Sequence, residues 1–205
     1  MLFSNPSGFF PEDILDWLSV CIDGLYKERS SVLDAVKKAK TEGAAVPPTF
    51  LGMTPDEVQD YFRSAERELE IAAVLALIAS AEARIRLDSR TRLKGADSLA
   101  RSLRKLFDES KTEWSVALYQ DGICDAWKDY ISQTGFSNSD KDRYRGRIGA
   151  FKELLSVRHW VAHGRYWAEP PMLAQYPPVL VVKAVTDLFA AFADISTRTS
   201  IKNFV

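Results

Sequence analysis

The segment Thr54-Pro55-Asp56-Glu57, together with the apolar repeat after it, limits the fold more than any other stretch of the chain. A threonine suited to cap a helix precedes proline at the first helical position and a glutamate placed to close a capping box. Val58, Tyr61, Phe62, Ala65, Leu69, Ala72, Ala76, Ala79 and Ala83 then recur at helical spacing, which predicts a helix reaching Arg90. Its middle is apolar on more than one face, the pattern of a helix packed among several others.

The remaining punctuation yields further helices. Pro11 suits the first turn of a helix running through DILDWLSVCIDGLYKERSSVLDAVKKAK, which Gly43 and the Pro47-Pro48 pair stop. Gly95 and Asp97 open a shorter helix through SLARSLRKLF, and TEWSVALYQDGICDAWKDYI reads as helical with a break near Gly122. After a turn from Gly135 to Asn138, a helix is expected from about Ser139 to His163. A proline-rich crossing, EPPMLAQYPP, leads to a last helix with Val182, Val185, Phe189 and Phe192 on one face. VLVV at 179–182 is read as its first turn and not as a strand, and the tail, 196–205, is expected to fray. No internal repeat, heptad array or low-complexity segment occurs. The expectation is one all-α domain over residues 1–205, a bundle of five to seven helices.

Such a bundle needs a core, and 46% apolar residues with 11% aromatics are enough to build one. The 27 basic and 28 acidic residues nearly cancel, so a surface for a polyanion has to be local. Cys21 and Cys124 are too few for a disulfide framework, which points to a reducing interior and plain packing roles. The N-terminus lacks a basic region followed by an apolar one, and the apolar run IAAVLALIA at 71–79 is about half of a membrane span. A soluble cytoplasmic protein with no membrane contact is expected.

The stretch RHWVAHGRYW, residues 158–167, holds both histidines of the chain. At about 100° per residue, Ile148, Phe151, Leu155, His159 and Ala162 share one stripe, so His159 extends the apolar face. A core histidine bonded to a carbonyl and a catalytic one both fit that position. Arg158 and His163 lie about 140° apart, on either margin of the stripe, so a site using both has to be completed by another helix or another subunit.

Arg158-His159-Trp160-Val161-Ala162-His163 has the form arginine, polar residue, three residues, histidine, near the end of a late helix. In this it resembles the signature of the HEPN superfamily of all-α domains. The resemblance implies a dimer in which two such motifs face each other and cleave RNA without a metal or other cofactor, in toxin, antiphage-defence or RNA-processing systems. Arg158 and His163 match the catalytic pair, and His159 matches the polar position beside the arginine. It also implies an antitoxin or other regulatory partner. Some toxins of this kind carry a modifiable tyrosine two residues after the histidine; here Arg165 stands there and Tyr166 comes one later.

Histidine and arginine suit that chemistry. RNA carries its own nucleophile, the 2′-hydroxyl, so cleavage needs a base, an acid for the leaving 5′-oxygen, and positive charge on the phosphorane. Imidazole serves the first two tasks near neutrality, and the guanidinium fork serves the third. Residues 140–165 hold seven Lys or Arg against three acids, a local charge of +4. Arg145, Arg147 and Arg165 are therefore candidate RNA contacts. Tyr166 and Trp160 are candidate stacking surfaces, with Tyr144 and Trp167 beside them. In EARIRLDSRTR, Glu82, Arg86 and Arg90 recur at i, i+4. That run reads as an exposed face with weak ion pairs, or as a wall that holds Arg158 and brings Arg86 to RNA. His159 and His163 share a face as zinc ligands do, but the pair lacks a zincin glutamate and a third histidine. No nucleophile elbow, Walker loop or Rossmann fingerprint occurs. Two functions remain: a metal-independent endoribonuclease, and a non-catalytic module of the same fold that binds protein or RNA.

Overall fold

The computed structural model describes residues 10–109, 118, 121–162 and 177–204. Proline at the first helical position opens three of its helices, where the missing N–H costs nothing and the fixed φ suits the first turn. These are α1 (Pro11–Glu42), α2 (Pro55–Arg92) and α6 (Pro178–Arg198). Between them lie α3 (Ser98–Asp108), α4 (Ile123–Gln133) and α5 (Asn138–Ala162). Among the described residues there are six α-helices and no strand, and VLVV forms part of the first turns of α6. No helix among them is long and apolar enough to cross a membrane.

The ends of the helices obey local chemistry. Thr54 and Glu57 close the capping box reciprocally, with the Thr54 N–H on the Glu57 carboxylate at 2.7 Å and the Glu57 N–H on the Thr54 hydroxyl at 3.3 Å. Gly43 ends α1 at φ 67°, a left-handed conformation that a Cβ would strain. Asp97 caps α3 by accepting from the Ala100 N–H at 2.8 Å. Gly95 just before it has no room for a side chain: a Cβ would stand 2.8 Å from the Asp97 carboxylate. The break expected near Gly122 is the start of α4, for which Gly122 is the N-cap; residues 110–117, 119 and 120 lie outside the described residues.

Helix α2 is the mast of the bundle. Its 38 residues, about 57 Å at 1.5 Å per residue, pack against α1, α3, α5 and α6. Ile71, Val74, Leu77, Ile78, Ala81 and Ile85 are buried along it, as expected of a helix apolar on several faces. The main core joins these to Trp127 of α4, Tyr144, Ile148 and Phe151 of α5, and Val185, Leu188 and Phe192 of α6. Trp127 stacks on Phe192 with ring centroids 4.2 Å apart. A second, smaller core of Val32, Val36, Phe50, Val58 and Phe62 closes the far end of the α1–α2 hairpin.

The chain at the end of α6 turns back onto the bundle. Helix α6 runs to Arg198, the Ile201 N–H returns to the Ser196 carbonyl at 3.1 Å, and Phe204 packs on Phe189 and Phe192. The anchor is Arg92 of α2. Its Nε meets Asp88 at 2.6 Å, while its terminal nitrogens donate to the Lys202 carbonyl at 2.7 Å and the Ser196 hydroxyl at 3.1 Å.

Candidate functional site

Helix α5 carries Arg158 and His159 of the motif, and its two ends have different surroundings. At the first end the Tyr144 ring is buried and its hydroxyl donates to Asp194 of α6 and accepts from Arg198 at 2.8 Å and Arg143 at 3.2 Å. Asp140 accepts from Arg198 at 3.1 Å and Arg143 at 2.8 Å, and the Arg198 bond foremost, then Ser137 and the charges of the two arginines, hold its carboxyl below the usual range. Tyr144 is thus a structural tie between α5 and α6 and offers no face for a base.

The basic candidates along α5 differ in their freedom. Arg145 is exposed. Arg147 is half-buried and donates to the Asp187 carbonyl of α6 at 3.3 Å. Arg145 and Arg158 stand thirteen positions apart, about 20 Å along the axis, so one phosphate cannot meet both. Lys152, another cation of residues 140–165, pairs with Asp125 of α4 at 2.8 Å.

Over the last turns of α5 the buried face turns. Tyr144, Ile148, Phe151 and Leu155 keep to the expected stripe, but Leu154, Val157 and Trp160 are buried as well. On a regular helix Trp160 lies nearly opposite Phe151. His159 is exposed, so it does not continue the apolar stripe. Trp160, 4% exposed, lies within the core and is not presented to an RNA base. The reason is area: burying an indole removes far more apolar surface from water than burying an imidazole, so neighbouring elements close on the tryptophan. His163, Arg165 and Tyr166 lie outside the described residues, as do Gly164 and Trp167.

Arg158 stands beside His159 with its side chain 46% exposed. Its Nε lies 3.3 Å from Oε2 of Glu82, on α2. The other oxygen of that carboxylate, Oε1, accepts from Arg86 Nε at 3.1 Å and Nη2 at 2.9 Å. Glu82 and Arg86 are only 13% and 16% exposed, so this is not the weak surface ladder that i, i+4 spacing ordinarily means. The charged run of α2 holds Arg158, and Arg86 is engaged in the same cluster. Beneath it, buried Cys124 of α4 lies within electrostatic reach of Lys152, Asp125, Lys128 and Arg86, and burial pushes its thiol up to about 12. Nothing in the local sequence announces the Lys152–Asp125 pair, because its members stand 27 residues apart.

This end of the bundle therefore gathers Arg86, Lys152 and Arg158 against Glu82 and Asp125, with Arg158 the most exposed of the three cations. Such an arrangement can hold an anion such as a phosphate against one exposed guanidinium. Among the described residues no three His, Cys, Asp or Glu side chains stand together as metal ligands would. Set against models of known families, curated proteins and solved structures, the chain matches none.

Proposed function

We propose that this chain is a HEPN-like, metal-independent endoribonuclease of the cytoplasm, active as a homodimer and serving as a toxin or antiphage-defence effector under an antitoxin or other regulatory partner. One observation carries the reading: Arg158 stands exposed near the end of α5 in an all-α bundle, held from a second helix, five positions before His163. In the reaction, His163 of one protomer takes the 2′-hydroxyl proton as that oxygen attacks the adjacent phosphorus. The 5′-oxygen leaves with a proton from the partner's His163, and the two Arg158 guanidinium groups neutralise the phosphorane. The products are a 2′,3′-cyclic phosphate and a 5′-hydroxyl end. His159, exposed beside Arg158, fills the polar position of the motif.

A second reading, a non-catalytic module binding protein or RNA, is favoured by the Arg158–Glu82 pair itself, which gives the arginine a partner within its own chain. RNA cleavage by the wild type and by His163→Ala separates the two. The ribonuclease reading expects cleavage that survives EDTA and falls on the order of 10²- to 10⁴-fold in folded His163→Ala. It also expects sedimentation at about twice the 23.1 kDa chain mass. A monomer at micromolar concentration, or a His163→Ala protein as fast as the wild type, supports the module.

A further inference from the structure

We infer that the corner where α2 passes into α3 is a docking surface for the phosphate backbone of RNA. The inference takes the identity of the polyanion from the ribonuclease reading and the surface itself from charge and geometry. Residues 94–105 hold four cations, Lys94, Arg101, Arg104 and Lys105, against one acid, Asp97. Lys94, Arg101 and Lys105 are exposed. A fifth cation joins them from the chain end, where exposed Lys202 sets its Nζ 3.4 Å from the Thr91 carbonyl.

Two of the five are held without being neutralised. Arg104 donates through Nη1 to the carbonyls of Leu93 at 2.7 Å and Gly95 at 2.6 Å, so its guanidinium lies against the backbone on either side of Lys94. Lys202 likewise meets a carbonyl. Carbonyls at the C-terminal end of a helix orient a cation but carry no full charge to cancel it. Asp97 is occupied as the cap of α3, accepting from the Ala100 N–H at 2.8 Å. Asp108 and Glu109 stand at the other end of α3, where Glu109 lies 3.9 Å from Lys105 in an exposed pair that is weak in water. Along α5, by contrast, Lys152 meets Asp125 and Arg143 meets Asp140, both at 2.8 Å. The uncancelled charge therefore gathers at the corner.

No large apolar side chain is exposed between Arg90 and Lys105, as burial in a bilayer surface would need, and no aromatic one is there to stack on a base. The surface is suited to phosphates and takes any sequence. Arg92, the last residue of α2, is ten positions and about 15 Å beyond Glu82, the partner of Arg158. One short strand can lie on the corner and reach the motif.

Fluorescence anisotropy with a labelled 2′-O-methyl oligouridine, which lacks a free 2′-hydroxyl and is not cleaved, tests this on the full chain. The logarithm of the affinity should fall with the logarithm of salt concentration by about 0.7 for each phosphate neutralised. Lys94→Gln/Arg101→Gln should weaken binding on the order of 10- to 100-fold at low salt and make that slope shallower by about 1.4. Lys37→Gln/Lys38→Gln removes two exposed cations of α1 and should leave affinity and slope unchanged. An equal loss in both pairs, or none in the corner pair, overturns the inference. So does preferential binding to phosphatidylserine vesicles that the corner pair abolishes, since the surface then serves a membrane. In cleavage the corner pair should raise KM with kcat nearly unchanged, as loss of uniform binding does. A chain that binds the oligonucleotide through this corner but cleaves no RNA refutes the ribonuclease reading and leaves the docking surface standing. A chain that cleaves RNA equally well with and without the corner pair refutes the docking surface alone.

Discussion

Replacing Arg92 by alanine should be among the most damaging single changes in the molecule. Its side chain is 3% exposed and that of Asp88 is fully buried, with 2.6 Å between Nε and the carboxylate. Three further contacts go with it: the Lys202 carbonyl, the Ser196 hydroxyl, and the face of Trp127, whose centroid lies 4.8 Å from the guanidinium carbon. Ser196 keeps its own bond to the Phe192 carbonyl at 2.7 Å, so the heaviest loss is a buried carboxylate deprived of its Arg92 cation. Breaking such a pair costs about 3–5 kcal/mol. At about 2–4 °C per kcal/mol for a chain of this size, the melting point should fall by roughly 6–20 °C. Removing both charges differs in kind, because an apolar pair of similar volume no longer strands an ion. Asp88→Leu/Arg92→Met should therefore lie within about 2 kcal/mol of the wild type. Urea unfolding tracked by circular dichroism measures all three proteins. A loss under about 1 kcal/mol in Arg92→Ala, or a double variant no better than the single one, refutes the reasoning.

Two further outcomes concern the titratable groups. The Asp140 carboxyl is depressed by Arg198 first and Ser137 next, so its contribution is present above the ordinary carboxylate range and lost as pH falls through the folded value. Asp140→Asn should flatten the acid limb of a melting-point profile below about pH 4, and identical acid limbs would count against the bridge. Cys124 is fully buried with its thiol raised to about 12, whereas Cys21 is half-buried, so a thiol reagent at neutral pH should label Cys21 in the native protein and Cys124 only on unfolding. Equal native rates for both would contradict the burial.

Most helix limits are legible in the sequence because they depend on neighbours along the chain. A capping threonine, a proline at the first position and a glycine beyond the end act over a few residues, and at Thr54, Pro178 and Gly43 nothing distant competes with them. The tail is illegible for the opposite reason. Ser196 and Lys202 are held by an arginine 104 and 110 residues away, beyond the reach of periodicity or capping. The end of α5 falls between these cases. Helical spacing places His159 on the stripe of Phe151 and Leu155, but which side of the last turns is covered depends on what packs there, and the structure covers Trp160. Glu82 is visible in the sequence as one member of a charged run, yet only the approach of α2 to α5 selects it as the partner of Arg158.

That selection also changes the meaning of the positive charge along α5. Counted from the sequence, residues 140–165 form a basic stretch of +4, the signature of a surface that attracts a polyanion along its whole length. In the fold several of its cations are engaged from other helices: Asp125 of α4 meets Lys152, Asp194 of α6 lies 3.9 Å from Arg143, the Asp187 carbonyl accepts from Arg147, and Glu82 of α2 meets Arg158. A phosphate approaching a cation already paired at 2.8 Å, as Lys152 is, must exchange one anion for another, and little net attraction remains. Arg158 differs because its carboxylate is shared with Arg86 and its side chain is still 46% exposed. Recognition of RNA by this helix should therefore depend on the geometry at one end of α5 more than on its average charge.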